Sequence, residues 1–348
     1  MAENIITGLD NCNQMFDNKK ILITGALGFL GFNFLNYFSE LNNSKILNNP
    51  CTVFAWDNFI RGTPYWINRF KGNKNIIISK KDIINDYKFP KVDFIIHAAS
   101  IASPTFFREY PIETIESNVL GVKHLLDYSK EQDIKSFLFF SSSEIYGDPD
   151  QKNIPTTEEY RGNVSCTGPR ACYDESKRLG ETLCVNYWMS HNVPVKIARP
   201  FNNYGPGMSL HDRRVIPDFF RDTFQNQDIT LLSDGKATRT FCYASDAVEG
   251  YLRILLSDHN GESFNIGTDN PNVTMAELAE IVIKISKKSL KIHFGNSNDK
   301  NYLTDCPQNR CPSINKAKKM INYSPSVGLF EGLEQMYNYY KNEYKENS

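Results

Sequence analysis

The chain has 348 residues, more than one small core needs and enough for two packed lobes. Apolar residues make up 41% and charged residues 23%, and 39 basic against 40 acidic side chains leave a net charge of −1. That balance sets up no field for nucleic acid or an anionic membrane, so neither is an expected partner. A small anionic ligand must instead be held by a few placed groups.

Residues 1–18 are polar and lack the apolar stretch of a secretory signal, and they are expected to form a loosely ordered extension. No apolar run reaches membrane-spanning length. The 8 cysteines form no CxxC pair and no His cluster joins them, which predicts no metal, no disulfide framework and a reducing, cytoplasmic setting. From residue 19 onward, short β-branched and aromatic runs alternate with helical patterns. The buried strands are expected at Ile21–Thr24, Thr52–Trp56, Asn75–Ser79, Phe94–His97, Phe137–Ser141 and Val195–Arg199, with helices at Ile112–Lys130 and Arg170–His191. Continuous apolar strands between helices predict an α/β fold, a Rossmann-type doubly wound parallel sheet.

After Pro200 the texture changes. Asn203-Tyr204-Gly205-Pro206-Gly207 is a turn cluster, a strand follows at Ile229–Leu232, and Thr274-Met275-Ala276-Glu277 is a capping box opening a helix. The expected organisation is a cofactor lobe over 19–200 and a smaller α/β substrate-binding lobe over most of 201–348, with 241–260 returning to the first lobe.

Thr24-Gly25-Ala26-Leu27-Gly28-Phe29-Leu30-Gly31 is GxxGxxG directly after a strand and opening a helix. Glycines there let the backbone approach a pyrophosphate seated on the helix N-terminus. The second strand ends at Asp57, a carboxylate that suits a ribose and repels a 2′-phosphate, which predicts NAD rather than NADP. Arg61 stands nearby and is able to accept that phosphate. Asp82 and Ile83 follow the third strand, where an adenine has room.

Tyr173 and Lys177 form YxxxK, which puts both on one helix face. An ammonium there, with a positive nicotinamide ring, is expected to lower the phenol's pKa so that it takes a proton from a hydroxyl as hydride leaves. Ser141-Ser142-Ser143-Glu144-Ile145-Tyr146-Gly147 ends the preceding strand and brings hydroxyls and a carboxylate to the ligand edge of the sheet.

Together these motifs resemble the extended short-chain dehydrogenase/reductase family. The resemblance also takes in Asp57-Asn58, His97-Ala98-Ala99-Ser100, Asn118 with Gly121, Arg199-Pro200-Phe201-Asn202-Asn203-Tyr204-Gly205-Pro206 and Thr238-Arg239-Thr240-Phe241. It covers nearly the whole chain from residue 19. It implies NAD held by Gly25, Gly28, Phe29, Leu30, Asp57, Asn58, Asp82, Ile83, Ala98, Ala99 and Asn118, together with Tyr173 and Lys177. It also implies that Ser142 hydrogen-bonds the reacting hydroxyl. Within the family, Glu159-Tyr160-Arg161-Gly162-Asn163-Val164 leading into Gly168-Pro169-Arg170-Ala171-Cys172-Tyr173-Asp174-Glu175, with Asp305-Cys306-Pro307, is similar to the UDP-glucuronate decarboxylase branch. Three positions depart from that branch: Ser142, usually Thr; Gly207, usually Arg; and His211-Asp212-Arg213, usually Asn-Asp-Gly.

The branch implies a nucleotide-sugar substrate, with Ser143, Glu144 and Arg239 around C5 and C6, and Arg214, Arg310 and Asn202 at the diphosphate. For Arg239 the structural alternative is an ion pair with Asp246. A 4,6-dehydratase is the second expectation, with Glu144 as base, and a 4-epimerase the third. A non-catalytic NAD-sensing protein is disfavoured by the intact Ser142, Tyr173 and Lys177. The helices around 112–130 and 170–191 pair across a homodimer in relatives.

Overall fold

The computed structural model describes residues 1–297 and 303–346. Seven strands form the main sheet: β1 (Lys20–Thr24), β2 (Thr52–Asp57), β3 (Ile76–Lys80), β4 (Phe94–His97), β5 (Ser136–Phe140), β6 (Val195–Pro200) and β7 (Ser263–Ile266). Their order is β7-β6-β5-β4-β1-β2-β3, and every pairing is parallel. β4 is buried at every residue and so is β5, because helices cover both faces of the sheet. In register, Ile23 lies between Ala55 and Ile96. Strand order reverses between β1 and β4, so a crevice opens past their carboxyl ends, where doubly wound folds take ligands.

The six expected strands are present, with ends moved by one residue at several. β7 went unread, since Phe264-Asn265-Ile266 is a short apolar run flanked by turns. The expected helix at 112–130 runs from Pro111 to Glu131 but contains a π turn over Ser117–Gly121. The extra residue of that turn aims Asn118 inward, where its Nδ2 donates to Ser176 Oγ at 2.9 Å. The capping box is formed as read: Thr274 and Glu277 satisfy each other's backbone N–H at the start of the Met275–Ser286 helix.

The N-terminal residues are not loose, which corrects the expectation. Ala2–Leu9 is a helix followed by a 3-10 turn over Asp10–Phe16. Ile5, Leu9 and Phe16 are buried, and the Phe16 ring meets Tyr37, Phe38 and Phe94 edge-on. The polar composition hid three well-spaced apolar anchors.

The helix Ala244–Leu256 packs on β5, β6 and the helix Phe29–Asn43, with Tyr251 against Phe34 and Phe140. A second apolar cluster lies among the helices Val215–Phe224, Met275–Ser286 and Leu329–Glu346, built on Phe219, Phe220, Leu278, Val282, Leu333 and Met336. In this part of the chain Thr238–Arg239 pairs with both Val273–Thr274 and Asn309–Arg310. That small sheet carries two arginines toward the crevice side of the main sheet. Among the described residues no helix is long and apolar enough to cross a membrane.

Candidate active site

The turn after β1 is shaped by close approach. Gly25 has φ +69°, and a Cβ on it would stand 2.6 Å from Ala99 Cα. A Cβ on Gly31 would stand 2.2 Å from Ala26 O, so this glycine lets the helix Phe29–Asn43 lie against its own turn. Gly28 caps that helix, and no side chain satisfies its first N–H groups. Such a loop leaves backbone donors for a phosphate. Asp57 accepts from the N–H of Leu27 at 3.0 Å and Phe59 at 2.8 Å. Burial raises its pKa against those two bonds. Asn58 and Asp82 line a cavity of about 330 Å³ next to it, with Lys80, Lys81 and Asp86. Ile83 is buried and fits where Gly121 has no Cβ. Arg61 is engaged elsewhere, over the Phe106 ring at 3.5 Å and beside Asp212 at 3.4 Å. Among the described residues, buried Asn118 Oδ1 and Ser141 Oγ have no hydrogen-bond partner. A loop whose glycines allow close approach, a carboxylate at the end of β2 and these orphaned polar atoms fit a dinucleotide.

Ser142 follows β5 in extended backbone and caps a 3-10 turn over Ser143–Tyr146, its Oγ accepting from Glu144 N at 3.2 Å. The turn buries Ser143. Tyr173 and Lys177 lie on the helix Ala171–His191, both buried. Lys177 Nζ is 5.7 Å from the Tyr173 ring centroid and donates to Phe140 O at 2.7 Å. Burial lowers the Lys177 pKa to about 7. Burial also raises Tyr173 to about 12, opposed by its hydrogen bond with Ser142. The protein by itself therefore does not supply the expected lowered phenol. Desolvation outweighs an ammonium that the same burial discourages. Phe107 stacks on Tyr173, with centroids 5.0 Å apart and planes at 11°.

Glu144 is gripped by two guanidiniums, Arg170 and Arg310, the latter at 2.6 Å. Burial alone would raise its pKa, but the two arginines overcome that and hold it below the usual carboxylate range. Arg310, expected at the diphosphate, pairs with Glu144 from its strand in the small sheet. Arg239 donates to the carbonyls of Thr238 at 2.7 Å, Gln308 at 3.2 Å and Pro307 at 2.5 Å. Among the described residues no carboxylate pairs with it, and Asp246 instead accepts from Ser326 and Val327. Desolvation first, and then the charge of Arg310, lower its pKa to about 10. Asn202 donates to Thr240 O at 2.8 Å, and Arg214 pairs with Asp212 on the crevice side. The structure thus gathers Ser142, Ser143, Glu144, Tyr173, Lys177, Arg239 and Arg310. Arg214 and Asn202 are held by their own local partners.

Sequence reading missed Arg170, Asp174 and Phe107. Arg170 and Asp174 are one helical turn apart and flank Tyr173, a spacing that was visible. Their burial, 3% and 4% exposed, was not.

The chain matches the NAD dependent epimerase/dehydratase family over residues 21–267. It is 37% identical to UDP-glucuronic acid decarboxylase 6 of Arabidopsis thaliana over 329 residues, which is 94% of this chain and 90% of that one. This chain belongs to that epimerase/dehydratase family. A second family member, UDP-glucuronic acid decarboxylase 1 of Xenopus tropicalis, is 35% identical over 94% of this chain and 73% of its own length. Among solved structures, an epimerase from Methanothermobacter thermautotrophicus superposes with a TM-score of 0.84 at 24% identity, covering 98% of this chain and 97% of that one. UDP-glucuronic acid 4-epimerase from Bacillus cereus, in complex with UDP-glucuronic acid and NAD, has a TM-score of 0.78 at 26% identity, covering 93% and 100%.

Proposed function

We propose that this chain is an NAD-dependent UDP-glucuronate decarboxylase, giving UDP-xylose through a 4-keto sugar. One observation carries the reading. Arg170, Arg239 and Arg310 gather around Glu144, with Asp174 beside Arg170 at 3.8 Å, within reach of Ser142 and Tyr173. Arg239 keeps its charge without a carboxylate of the protein, so the site has a cation to spare for an acidic sugar. The two decarboxylase relatives and the 4-epimerase that holds UDP-glucuronic acid support the same substrate.

Bound there, NAD would supply a reversible hydride acceptor for C4 of the sugar. The loop at Gly25 and Gly28 with the first turn at Phe29 and Leu30 holds the pyrophosphate, and Asp57 the ribose hydroxyls. Asn58, Asp82, Ile83, Ala98, Ala99 and Asn118 line the remaining wall. Tyr173 takes the proton of the C4 hydroxyl while Ser142 holds the oxygen in place. Lys177 supplies the ammonium that makes this transfer easier. Once C4 is a ketone, the C6 carboxylate is β to it and leaves as carbon dioxide. The electron pair moves onto the C4 oxygen, where Tyr173 and Ser142 stabilise the enolate. Arg239 orients the carboxylate beforehand. Ser143 and Glu144 stand on the C5 side of the site, Glu144 at rest in the grip of its two arginines, and C5 takes up one proton from solvent in each turnover. Arg214 and Asn202 lie on the diphosphate side.

Dehydration across C5 and C6 requires a base, and a carboxylate held low by two guanidiniums is a weak one. Loss of carbon dioxide needs no base. That contrast favours decarboxylation over the 4,6-dehydratase. We further place the enzyme in the cytosol, which suits its 8 free cysteines, and as a homodimer. Incubation with NAD and UDP-glucuronate, followed by mass spectrometry and proton NMR of the product, tests the reaction. Loss of carbon dioxide to a UDP-pentose is expected. A product of unchanged mass inverted at C4 would make it an epimerase, and no turnover would remove the reading.

A further inference from the structure

Arg170 stands between two carboxylates. One of its nitrogens is bound to Glu144, while its Nε is 3.8 Å from Asp174 Oδ2. That gap is too long for a hydrogen bond, and among the described residues Arg170 Nε and Asp174 Oδ1 both lack partners. Both side chains are buried, at 4% and 6% exposed. Asp174 also lines a cavity of about 410 Å³ with Gly147, Asp148, Asn163, Asp305 and Cys306. The guanidinium of Arg170 lies 5.4 Å from the centroid of Phe107, the same ring that stacks on Tyr173.

Glu144 has a problem that this arrangement answers. Held by both Arg170 and Arg310, it is not free to face a substrate. For Glu144 to act, at least one of its arginines must find another anion. Among the described residues Arg310 has no second carboxylate, but Arg170 has Asp174. Glu144 brings one negative charge to two guanidiniums, so Asp174 is the second anion the cluster calls for, yet its pairing with Arg170 is left open at 3.8 Å. A purely structural role leaves its loose geometry unexplained, since buried polar atoms are ordinarily satisfied.

We propose that Asp174 is a positioning residue that takes over Arg170 when Glu144 turns to the substrate. This rests on the decarboxylase reading for the identity of the substrate, but not for the exchange itself. The charges facing Asp174 are Glu144, Arg170, Arg310 and Asp305. Burial and the Glu144 charge raise its pKa, so moving Glu144 away and bringing Arg170 closer both favour its ionised form. The step is an exchange of ion-pair partners. No bond forms or breaks, and any proton released by Asp174 goes to the cavity it lines.

Two measurements test this independently. The crystal structure of Glu144→Gln, in which Arg170 has lost its charged partner, is expected to show Arg170 Nε and Asp174 Oδ2 within ~3 Å, a normal charge-assisted contact. A gap still near 3.8 Å would overturn the exchange, whatever the enzyme's substrate proves to be. The isosteric Asp174→Asn variant, assayed with UDP-glucuronate, is expected to lose ~10-fold in kcat with KM little changed, the pattern of an interaction needed only along the reaction. Its kcat should also lose the rise with pH that ionisation of Asp174 gives the wild type, while NAD binding and melting temperature hold. Unchanged kcat and an unchanged pH profile would overturn it. If the wild type fails to turn over UDP-glucuronate, the decarboxylase reading falls, and the Glu144→Gln structure still decides the exchange.

Discussion

Arg239 and Glu144 differ in what holds them, and their variants should differ accordingly. Arg239 is anchored by three backbone carbonyls, so its guanidinium is fixed without a counter-charge. Arg239→Ala should reduce carbon dioxide release by ~100-fold, in the range expected when a placed charge is lost. Fluorescence titration should find NAD binding unchanged, because no residue of the glycine loop touches Arg239. Lys177 makes a second prediction. Burial lowers its folded pKa to about 7, against an unfolded value of ~10.4. Between those values the unfolded chain binds the extra proton, so this group's contribution to stability rises with pH through that window. Lys177→Met removes the buried ammonium, and its gain in melting temperature over wild type should be larger at pH 6 than at pH 9. An equal shift at both pH values would mean that the lysine is not strained by burial. What was legible at this scale was what one element specifies by itself. The glycines after β1, Asp57 at the end of β2 and the YxxxK pair each follow from local spacing. The grip of Arg310 on Glu144 joins residues 166 apart, and no local pattern reports it. Nor does spacing report burial, and burial is what reverses the expected direction at Tyr173.

Among the elements, the N-terminal segment was misread for a physical reason. Helix propensity and composition average over residues, whereas docking needs only a few anchors at the right spacing. Ile5, Leu9 and Phe16 are such anchors, and Arg253 ties the segment down by donating to Gly8 O at 2.6 Å. Phe16→Ala should cost about 3–5 kcal/mol in a denaturant melt, the usual loss for a large aromatic ring removed from a core. A loss below about 1 kcal/mol would return the segment to a loose extension. The π turn over Ser117–Gly121 shows the opposite kind of miss. The apolar stripe of the helix was right, but the one inserted residue that turns Asn118 toward Ser176 has no signature in a 3.6-residue period. The capping box at Thr274 was legible because its four residues satisfy each other and need no distant partner.

Across the whole molecule, apolar strand runs alternating with helical patterns pointed to the doubly wound parallel sheet, whereas the order of its strands and the presence of β7 did not follow from those runs. Assembly is a different matter, because a monomer core and an interface use the same residue types. The helices over 111–131 and 171–191 pack side by side and still leave Ile112, Ile115, Leu120 and Leu179 between 39% and 60% exposed. Isolated exposed apolar residues are common, but these four fall on two adjacent helices, where a second copy could cover them. Stable interfaces bury ~1,200–2,000 Å² in total, an area that two long helices from each copy are able to supply. Light scattering after gel filtration should therefore give about twice the chain mass of 39.9 kDa. The Leu120→Lys/Leu179→Lys variant should run as a single chain, since it buries like charges against each other across a twofold. The consequence reaches the active site, because the helix Ala171–His191 carries Tyr173, Asp174 and Lys177 on its inner side while Leu179 lies on its outer one. Exposing that outer side should lower the melting temperature and kcat together. If the wild type already runs as a single chain and the double variant keeps full activity, the four apolar residues are ordinary surface and the helix needs no second copy to hold its catalytic face.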